Sequence, residues 1–256
     1  MNLFSSNPLS FLVRKASSPG VERVRYELKK REVNVLRKVA IGNSLLAITF
    51  GGEALADFES RGFDDHCKFM FTTPGGDTVR RDYTPRHFDR QKCELTLEFA
   101  LHEHGLATDW ARAARVGDTA VIGGPRGSMI VPGNLDWYWL IGDSAAFPAI
   151  RRRLEELPAS ARVEVVALCA HPADCALFAT LPEAQLHCVS STEELSAAVR
   201  ALELPGGVGY AWCAAEAASA RAIREILREK GLAKEAMRVA AYWKAGAADF
   251  HEKLDE

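Results

Sequence analysis

The hydrophobic period of this chain changes at Pro132 and Gly133, and no single sheet or helical layer can serve both patterns. Upstream, Leu95, Leu97, Phe99 and Leu101 alternate with Thr96, Glu98 and Ala100, the two-residue period of a strand with one buried face. Runs at 23–30 (RVRYELKK), 44–52 (SLLAITFGG), 67–71 (CKFMF) and 119–124 (TAVIGG) repeat that habit between turns rich in Gly, Asp and Pro. Short strands with few helices predict a small antiparallel barrel of six strands. Downstream, WYWLIGD at 137–143 reads as a buried strand, followed by a helix that Pro148 starts and that shows Phe147, Ile150, Leu154 and Leu157 on one face. VEVVAL at 163–168 is the next apolar strand. Ser191 and Glu194 have capping-box spacing ahead of a helix carrying Leu195, Val199 and Leu202. GYAWCA at 209–214 leads to a helix with Ala220, Ile223 and Leu227 inward, stopped at Gly231, and MRVAAYW at 237–243 closes the series. Such alternation means a parallel sheet covered on both faces. The expected organisation is therefore a barrel domain over 1–133 and an α/β domain over 134–256, with no internal repeat.

Of the 256 residues, 32 are Lys or Arg and 34 are Asp or Glu, a formal charge of -2 that calls for neither nucleic acid nor an acidic membrane. Any anion site must be local. The apolar run WYWLI at 137–141 is far too short to cross a bilayer, and the opening MNLFSSNPLSFLVRK puts its charges after the weak apolar patch, unlike a secretory signal. A soluble, cytoplasmic, monomeric protein is expected. Cysteines stand at 67, 93, 169, 175, 188 and 213 with no C-x-x-C pair, so reduced structural thiols are the expected state. Cys169, His171, Cys175, His187 and Cys188 match no zinc ribbon or finger spacing, and no metal site is expected from them.

Two stretches carry chemistry. In RRDYTPRHFD, residues 80–89, an extended backbone projects Arg81 and Tyr83 to one face and Thr84 and Arg86 to the other. Solubilising arginines on an exposed edge strand would look the same. In HEHGLATDWARAARVGD, residues 102–118, Gly105 and Thr108 precede a short amphipathic segment whose free N–H groups suit phosphate oxygens, with the Thr108 hydroxyl as a further donor. Together they suit one ligand: a flat ring against Tyr83, a ribityl chain near Thr84, and a diphosphate between Arg81 and the helix start. That is a flavin nucleotide. An open parallel sheet binds ligands beyond the carboxyl ends of its strands, here the loops IGDSAAFP, WCAAEA and YWKAG, although none has the G-x-G-x-x-G pattern.

These stretches, with DWYWLIGDSAAFPAIRRRLEELP, YAWCAAEAASARAIREILREKGL and VAAYWKAG following in order, resemble the siderophore-interacting protein family across nearly the whole chain. The resemblance implies a ferredoxin-reductase-like fold, with an FAD-binding antiparallel barrel and an α/β domain for NADPH or NADH. It implies a reductase that moves electrons from NAD(P)H, or from reduced ferredoxin, through FAD to the iron(III) of a ferric siderophore. The family's R-x-Y-T segment maps to Arg81, Tyr83 and Thr84, and its G-x-A-S/T-x-W-A turn to Gly105, Ala107, Thr108, Trp110 and Ala111. His102 and Glu216 join the expected cofactor contacts. Basic residues for an anionic siderophore map to Lys68, Arg126 and Lys244; each also reads as an ordinary edge charge, a partner of a barrel carboxylate, or a strand-end cap. Where relatives often have Gly before the glutamate, this chain has Ala215, whose methyl is expected to weaken or reshape a dinucleotide site. The strand end VEVVALCAHPAD lacks an acid for a ribose 2′-hydroxyl, which argues against strict NAD use; Arg151 to Arg153 read as a solvated helix face or a 2′-phosphate contact. A flavin reductase serving another acceptor, and a non-catalytic flavin- or siderophore-binding module, remain open alternatives.

Overall fold

The structure is a computed structural model and describes residues 19–102, 105–180 and 183–247; the opening stretch read above for a secretion signal lies outside them. The first half contains β1 (Glu22–Arg25), β2 (Lys30–Ile41), β3 (Leu45–Gly51), β4 (Cys67–Thr72), β5 (Thr78–Tyr83), β6 (Pro85–Asp89), β7 (Glu94–Ala100), the helix α1 (Leu106–Ala113), β8 (Thr119–Gly123) and β9 (Gly127–Ile130). Seven of these strands form one antiparallel sheet in the order β5-β4-β8-β2-β3-β7-β6, and β1 pairs with β9 as a separate ribbon. β5 and β6 stand at opposite edges of that sheet, yet only Thr84 separates Tyr83 from Pro85. The sheet must curl until its edges meet, and the result is a barrel. The barrel has seven strands where six were expected: the stretch 78–89 breaks at Thr84 into two, while the run read at 23–30 supplies β1 of the separate ribbon and only the first residue of the barrel strand β2, which the sequence reading missed. Pro85, which has no N–H to give a ladder, takes the first position of β6. Val33, Ile48, Phe69, Leu95, Leu97 and Phe99 fill the interior.

The second half alternates as the sequence predicts: β10 (Trp137–Gly142), α2 (Phe147–Glu156), β11 (Val163–Leu168), β12 (Ala184–Val189), α3 (Thr192–Ala201), β13 (Gly209–Glu216), α4 (Ala217–Glu229) and β14 (Met237–Trp243). The five strands are parallel in the order β12-β11-β10-β13-β14. α3 and α4 cover one face through Leu195, Val199, Ile223 and Leu227. α2 covers the other, where its Phe147 and Ile150 share a core with Leu45 and Phe63 of the first half. That shared core fixes where the two halves meet. Among the described residues no helix is long and apolar enough to cross a membrane.

Polar contacts add direction to this junction. Asp64, 4% exposed, accepts from Trp212 Nε1 at 3.0 Å and pairs with Arg238 Nε at 3.0 Å. Neither a solvated helix face nor a 2′-phosphate site describes Arg151 to Arg153. Arg151 pairs with Glu98 on β7, Arg152 donates to the Ser60 and Pro85 carbonyls at 2.9 Å, and Arg153 donates to the Pro132 carbonyl at 2.6 Å. Arg151 and Arg152 turn to the barrel and Arg153 to the segment that joins the two halves, because α2 packs against both and its guanidinium groups donate to buried oxygens there.

The thiol expectation also fails. Cys175, on the short 3-10 segment Pro172–Phe178, is disulfide-bonded to Cys188 on β12 with Cα atoms 5.9 Å apart, inside the usual range for such bridges. Cys67, Cys93, Cys169 and Cys213 are free. A thiol reagent added to oxidised, denatured protein is therefore expected to titrate these four and not the other pair, and to reach all six only after reduction. Six titratable groups without reductant would contradict the bridge.

Candidate active site

A cleft of about 2240 Å³ runs between the barrel and β14, more than twice the volume of an ordinary small-molecule pocket. It has room for a dinucleotide-sized cofactor and a second molecule. Of the residues singled out from the sequence, Arg81, Tyr83, Thr84, His102, Gly105, Ala107 and Thr108 line it, as do the cations Lys68, Arg126 and Lys244. Trp110 and Glu216 do not.

Tyr83 ends β5 with its ring backed by Phe99 at 4.3 Å and by the edge of Phe69 at 5.7 Å between centroids. Burial pushes its phenol above the usual range, so it stays neutral and presents an aromatic wall. Arg81, two residues earlier on the same strand, donates Nη1 to the Arg80 carbonyl at 2.7 Å, which fixes the base of its guanidinium. α1 packs beside β5, and its N-cap Gly105 brings no side-chain cap to the helix start. A cation beside an uncapped helix N-terminus is a cradle for a diphosphate. Thr108 differs from expectation: its hydroxyl proton goes to the Ala100 carbonyl at 3.2 Å, tying the helix start to β7, so it is not a donor for phosphate. Trp110 packs into the barrel's aromatic core, 4.8 Å from Phe69 and 5.6 Å from Phe71, and closes the barrel end. Its indole supports the wall and does not form it.

The far wall belongs to the end of β14. Tyr242 lines the cleft with Thr84, and burial pushes its phenol above the usual range. Trp243 lines the cleft, stands 5.7 Å from the His102 ring, and donates its indole N–H to Asp143 at 2.9 Å. Asp143, at the end of β10, also accepts from the backbone N–H groups of Ala145 and Glu216 at 3.0 and 2.8 Å, and burial raises its pKa. Tyr242, Trp243 and Asp143 were not singled out from the sequence. The pairing of YW with a distant GD was the available signal, but partners 100 residues apart reveal no contact by spacing.

The basic residues differ in how committed they are. Lys68 on β4 faces Asp82 directly across the β4–β5 pair, with Nζ 2.7 Å from the carboxylate. Arg126 follows the cis Gly124–Pro125 bond, is exposed, and has no carboxylate partner among the described residues. Lys244 is exposed just beyond β14. Glu216 caps α4 instead of facing the cleft, accepting from the N–H groups of Ala218 and Ser219. The Ala215 methyl is 0% exposed among Ile141, Ala217 and Ala220, so it crowds core side chains and not a ligand.

The model of the siderophore-interacting FAD-binding domain matches residues 76–129, and that of the siderophore-interacting protein matches residues 135–246. The NADPH-dependent ferric-chelate reductase of Escherichia coli (strain K12) is 32% identical over 246 residues, covering 88% of this chain and 96% of the relative. The ferric vibriobactin reductase ViuB of Vibrio cholerae is 27% identical, covering 91% and 95%. The crystal structure of a siderophore utilization protein from T. fusca superposes with a TM-score of 0.84 at 30% identity, over 90% of this chain and 99% of that one. In sequence, in fold and over nearly its full described length, the chain belongs to the siderophore-interacting protein family.

Proposed function

We propose that the chain is an FAD-dependent ferric-siderophore reductase that takes electrons from NADPH or NADH and delivers them to iron(III) in an anionic siderophore. The observation that carries this reading is one cleft that joins an aromatic wall, an uncapped helix start beside an arginine, and cations from three separate parts of the chain. Those residues fit FAD. Arg81 and the start of α1 hold the diphosphate, Tyr83 lies against the flat ring, and Thr84 borders the ribityl chain. His102, Gly105 and Ala107 complete the border on the barrel side. In this reading residues 1–133 form the flavin half and 134–256 the donor half. Bound FAD supplies the conversion of a two-electron hydride into single electrons. Lys68, Arg126 and Lys244 draw the anionic chelate to the open side of the cleft, where iron reaches the reducing edge. Hard anionic oxygens hold iron(II) less strongly than iron(III), so reduction loosens the metal. The relatives named for ferric-chelate and ferric vibriobactin reduction support this assignment. Reduced ferredoxin is the second donor the reading admits, and the protein acts as a cytoplasmic monomer.

The test is anaerobic stopped-flow on FAD-loaded protein, with NADPH, NADH or reduced ferredoxin as donor and several ferric chelates as acceptors. Flavin absorbance is expected to fall with a nicotinamide donor and return with a ferric siderophore. Protein that takes up no FAD, or that does not turn over, sinks the reading; faster reoxidation by another acceptor shifts it to a general flavin reductase. Arg126→Ala and Lys244→Ala are each expected to slow reoxidation by an anionic ferric siderophore about two- to fivefold at low salt, with FAD content unchanged. Salt and neutral chelates should erase the difference. Lys68→Ala should do least, because Asp82 already takes its charge. Wild-type rates in both Arg126→Ala and Lys244→Ala would end the basic-site assignment.

A further inference from the structure

The bridge between Cys175 and Cys188 sits on a contact that runs from the α/β half into the barrel. The 3-10 segment Pro172–Phe178 lies between β11 and β12 and carries three anchors. Buried Asp174 accepts from Asn43 N at 2.7 Å and from Asn43 Nδ2 at 3.1 Å, in the turn between β2 and β3. Gly42 turns there at φ 57°, and a Cβ on it would collide with that carboxylate, so the two segments meet as closely as a glycine allows. Cys175, the next residue, is bonded to Cys188. Phe178 stands edge-on to Phe147 at 4.9 Å, in the core that Leu45 of β3 shares. The β2–β3 turn in its hold continues to the cleft. The Ser44 carbonyl accepts from Leu101 N at 2.8 Å, and Leu45 pairs with Ala100 across β3 and β7. Ala100 and His102 line the cleft, and the Ala100 carbonyl ties down the start of α1 through Thr108.

We propose that the Cys175–Cys188 pair is a redox-sensitive clasp: as a disulfide it fixes Pro172–Phe178 against the β2–β3 turn, and through that turn the barrel side of the cleft, and as two thiols it releases the hold. Reduction takes a dithiol as co-reactant. Its thiolate attacks one sulfur of the bridge, a mixed disulfide forms, and the other cysteine leaves as a thiolate that takes a proton. The second thiol of the reductant then closes on the first and frees the remaining cysteine. Two electrons and two protons pass to the pair, and the reductant leaves as a disulfide. Both cysteines are half-buried, within reach of a small dithiol. Cys169, whose N–H donates to the Val189 carbonyl at 2.8 Å, does not compete: burial and the Asp174 charge push its thiol up to about 11, which leaves it a poor nucleophile. The bridged cysteines are 13 positions apart, and opening the bridge returns freedom to that loop. In the cytoplasmic setting proposed above, a disulfide is ordinarily transient or redox-sensing.

The experiment is hydrogen exchange read by mass spectrometry, with release of FAD as a second reading, on FAD-loaded wild type before and after dithiothreitol, with the thiols counted in each sample. Reduction is expected to speed exchange several-fold at 42–45 and 172–178 and to leave α4 unchanged. FAD should leave about fivefold faster, the low end of couplings between separate sites. Cys175→Ser and Cys188→Ser should each match reduced wild type with or without reductant, and either serves if the other fails to fold. Asp174→Ala keeps the bridge but cuts its link to Asn43, so reductant should still loosen 172–178 and no longer alter FAD release. The exchange reading needs no cofactor: a chain that takes up no FAD sinks the flavin reading and leaves the clasp to be decided at 42–45. Exchange there that is the same in oxidised and reduced wild type overturns the inference, as do six thiols that oxidised dithiothreitol never lowers to four. Unchanged FAD release from protein that loosens at 42–45 overturns the link to the cleft.

Discussion

Arg81→Ala is expected to yield folded protein that purifies nearly colourless. The guanidinium of Arg81 reaches the cleft from β5, steadied by the Arg80 carbonyl and placed beside the uncapped start of α1. A hydrogen bond from a charged group contributes ~1.5–3 kcal/mol, which is roughly a 10- to 150-fold loss in affinity when it is removed. The helix start remains, so binding weakens without disappearing. Fluorescence titration of FAD into apoprotein measures the change directly. Arg81→Lys should recover only part of it, since an ammonium restores the charge but not the planar fork that matches two phosphate oxygens. A variant that retains stoichiometric FAD with the wild-type dissociation constant would remove Arg81 from the cradle.

The parts of this molecule that local pattern controls are legible in its sequence. The change of period at Pro132 and Gly133 separates the antiparallel sheet from the parallel one, because a side-chain period of two and a strand–helix alternation answer to different burial geometries. Ser191 and Glu194 announced the start of α3, and Gly231, at φ 87°, the end of α4. The cleft residues of R-x-Y-T were legible through resemblance, and the geometry brings them together with Lys68, Arg126 and Lys244. What spacing does not encode is which distant element a side chain meets. Arg151 to Arg153 read as a solvated stripe because helical periodicity says nothing of a barrel packed against α2. Cys175 and Cys188 read as separate thiols because their proximity depends on how a 3-10 segment lies on β12. Trp110 read as a flavin contact because an aromatic at a helix start looks the same whether it faces a ligand or plugs a barrel. Thr108 has one hydroxyl proton, and only the fold shows that the Ala100 carbonyl already has it.

The same argument from long-range contact predicts the largest stability effect, at Glu98. Alternation along β7 puts this carboxylate on the barrel's outer face, where an ordinary sheet would be wet, but α2 covers it and leaves it 5% exposed. Arg151 pairs with it closely, Arg86 Nε lies 3.3 Å away, and Arg86 also donates to Glu155 at 2.8 Å. The second Glu98 oxygen and the Nε atoms of Arg86 and Arg151 are buried with no hydrogen-bond partner among the described residues, so the cluster has little slack. Glu98→Ala would leave two guanidinium groups pressed together at the junction with one half-exposed carboxylate between them. Breaking a buried pair by removing one partner costs roughly 3–5 kcal/mol, whereas replacing it with apolar groups of similar volume is often neutral. For a chain of this size each kcal/mol lowers the melting midpoint by about 2–4 °C, so a fall of roughly 6–20 °C is expected. Adding Arg151→Met to Glu98→Leu should recover part of the loss suffered by Glu98→Leu alone, because it removes a charge that the first change orphaned. Calorimetric scans of the three proteins decide the matter. If Glu98→Ala melts within a degree or two of wild type, or if the second substitution deepens the loss, the buried pair does not hold the barrel to α2 and the apolar core shared by Leu45, Phe63 and Phe147 carries the junction by itself.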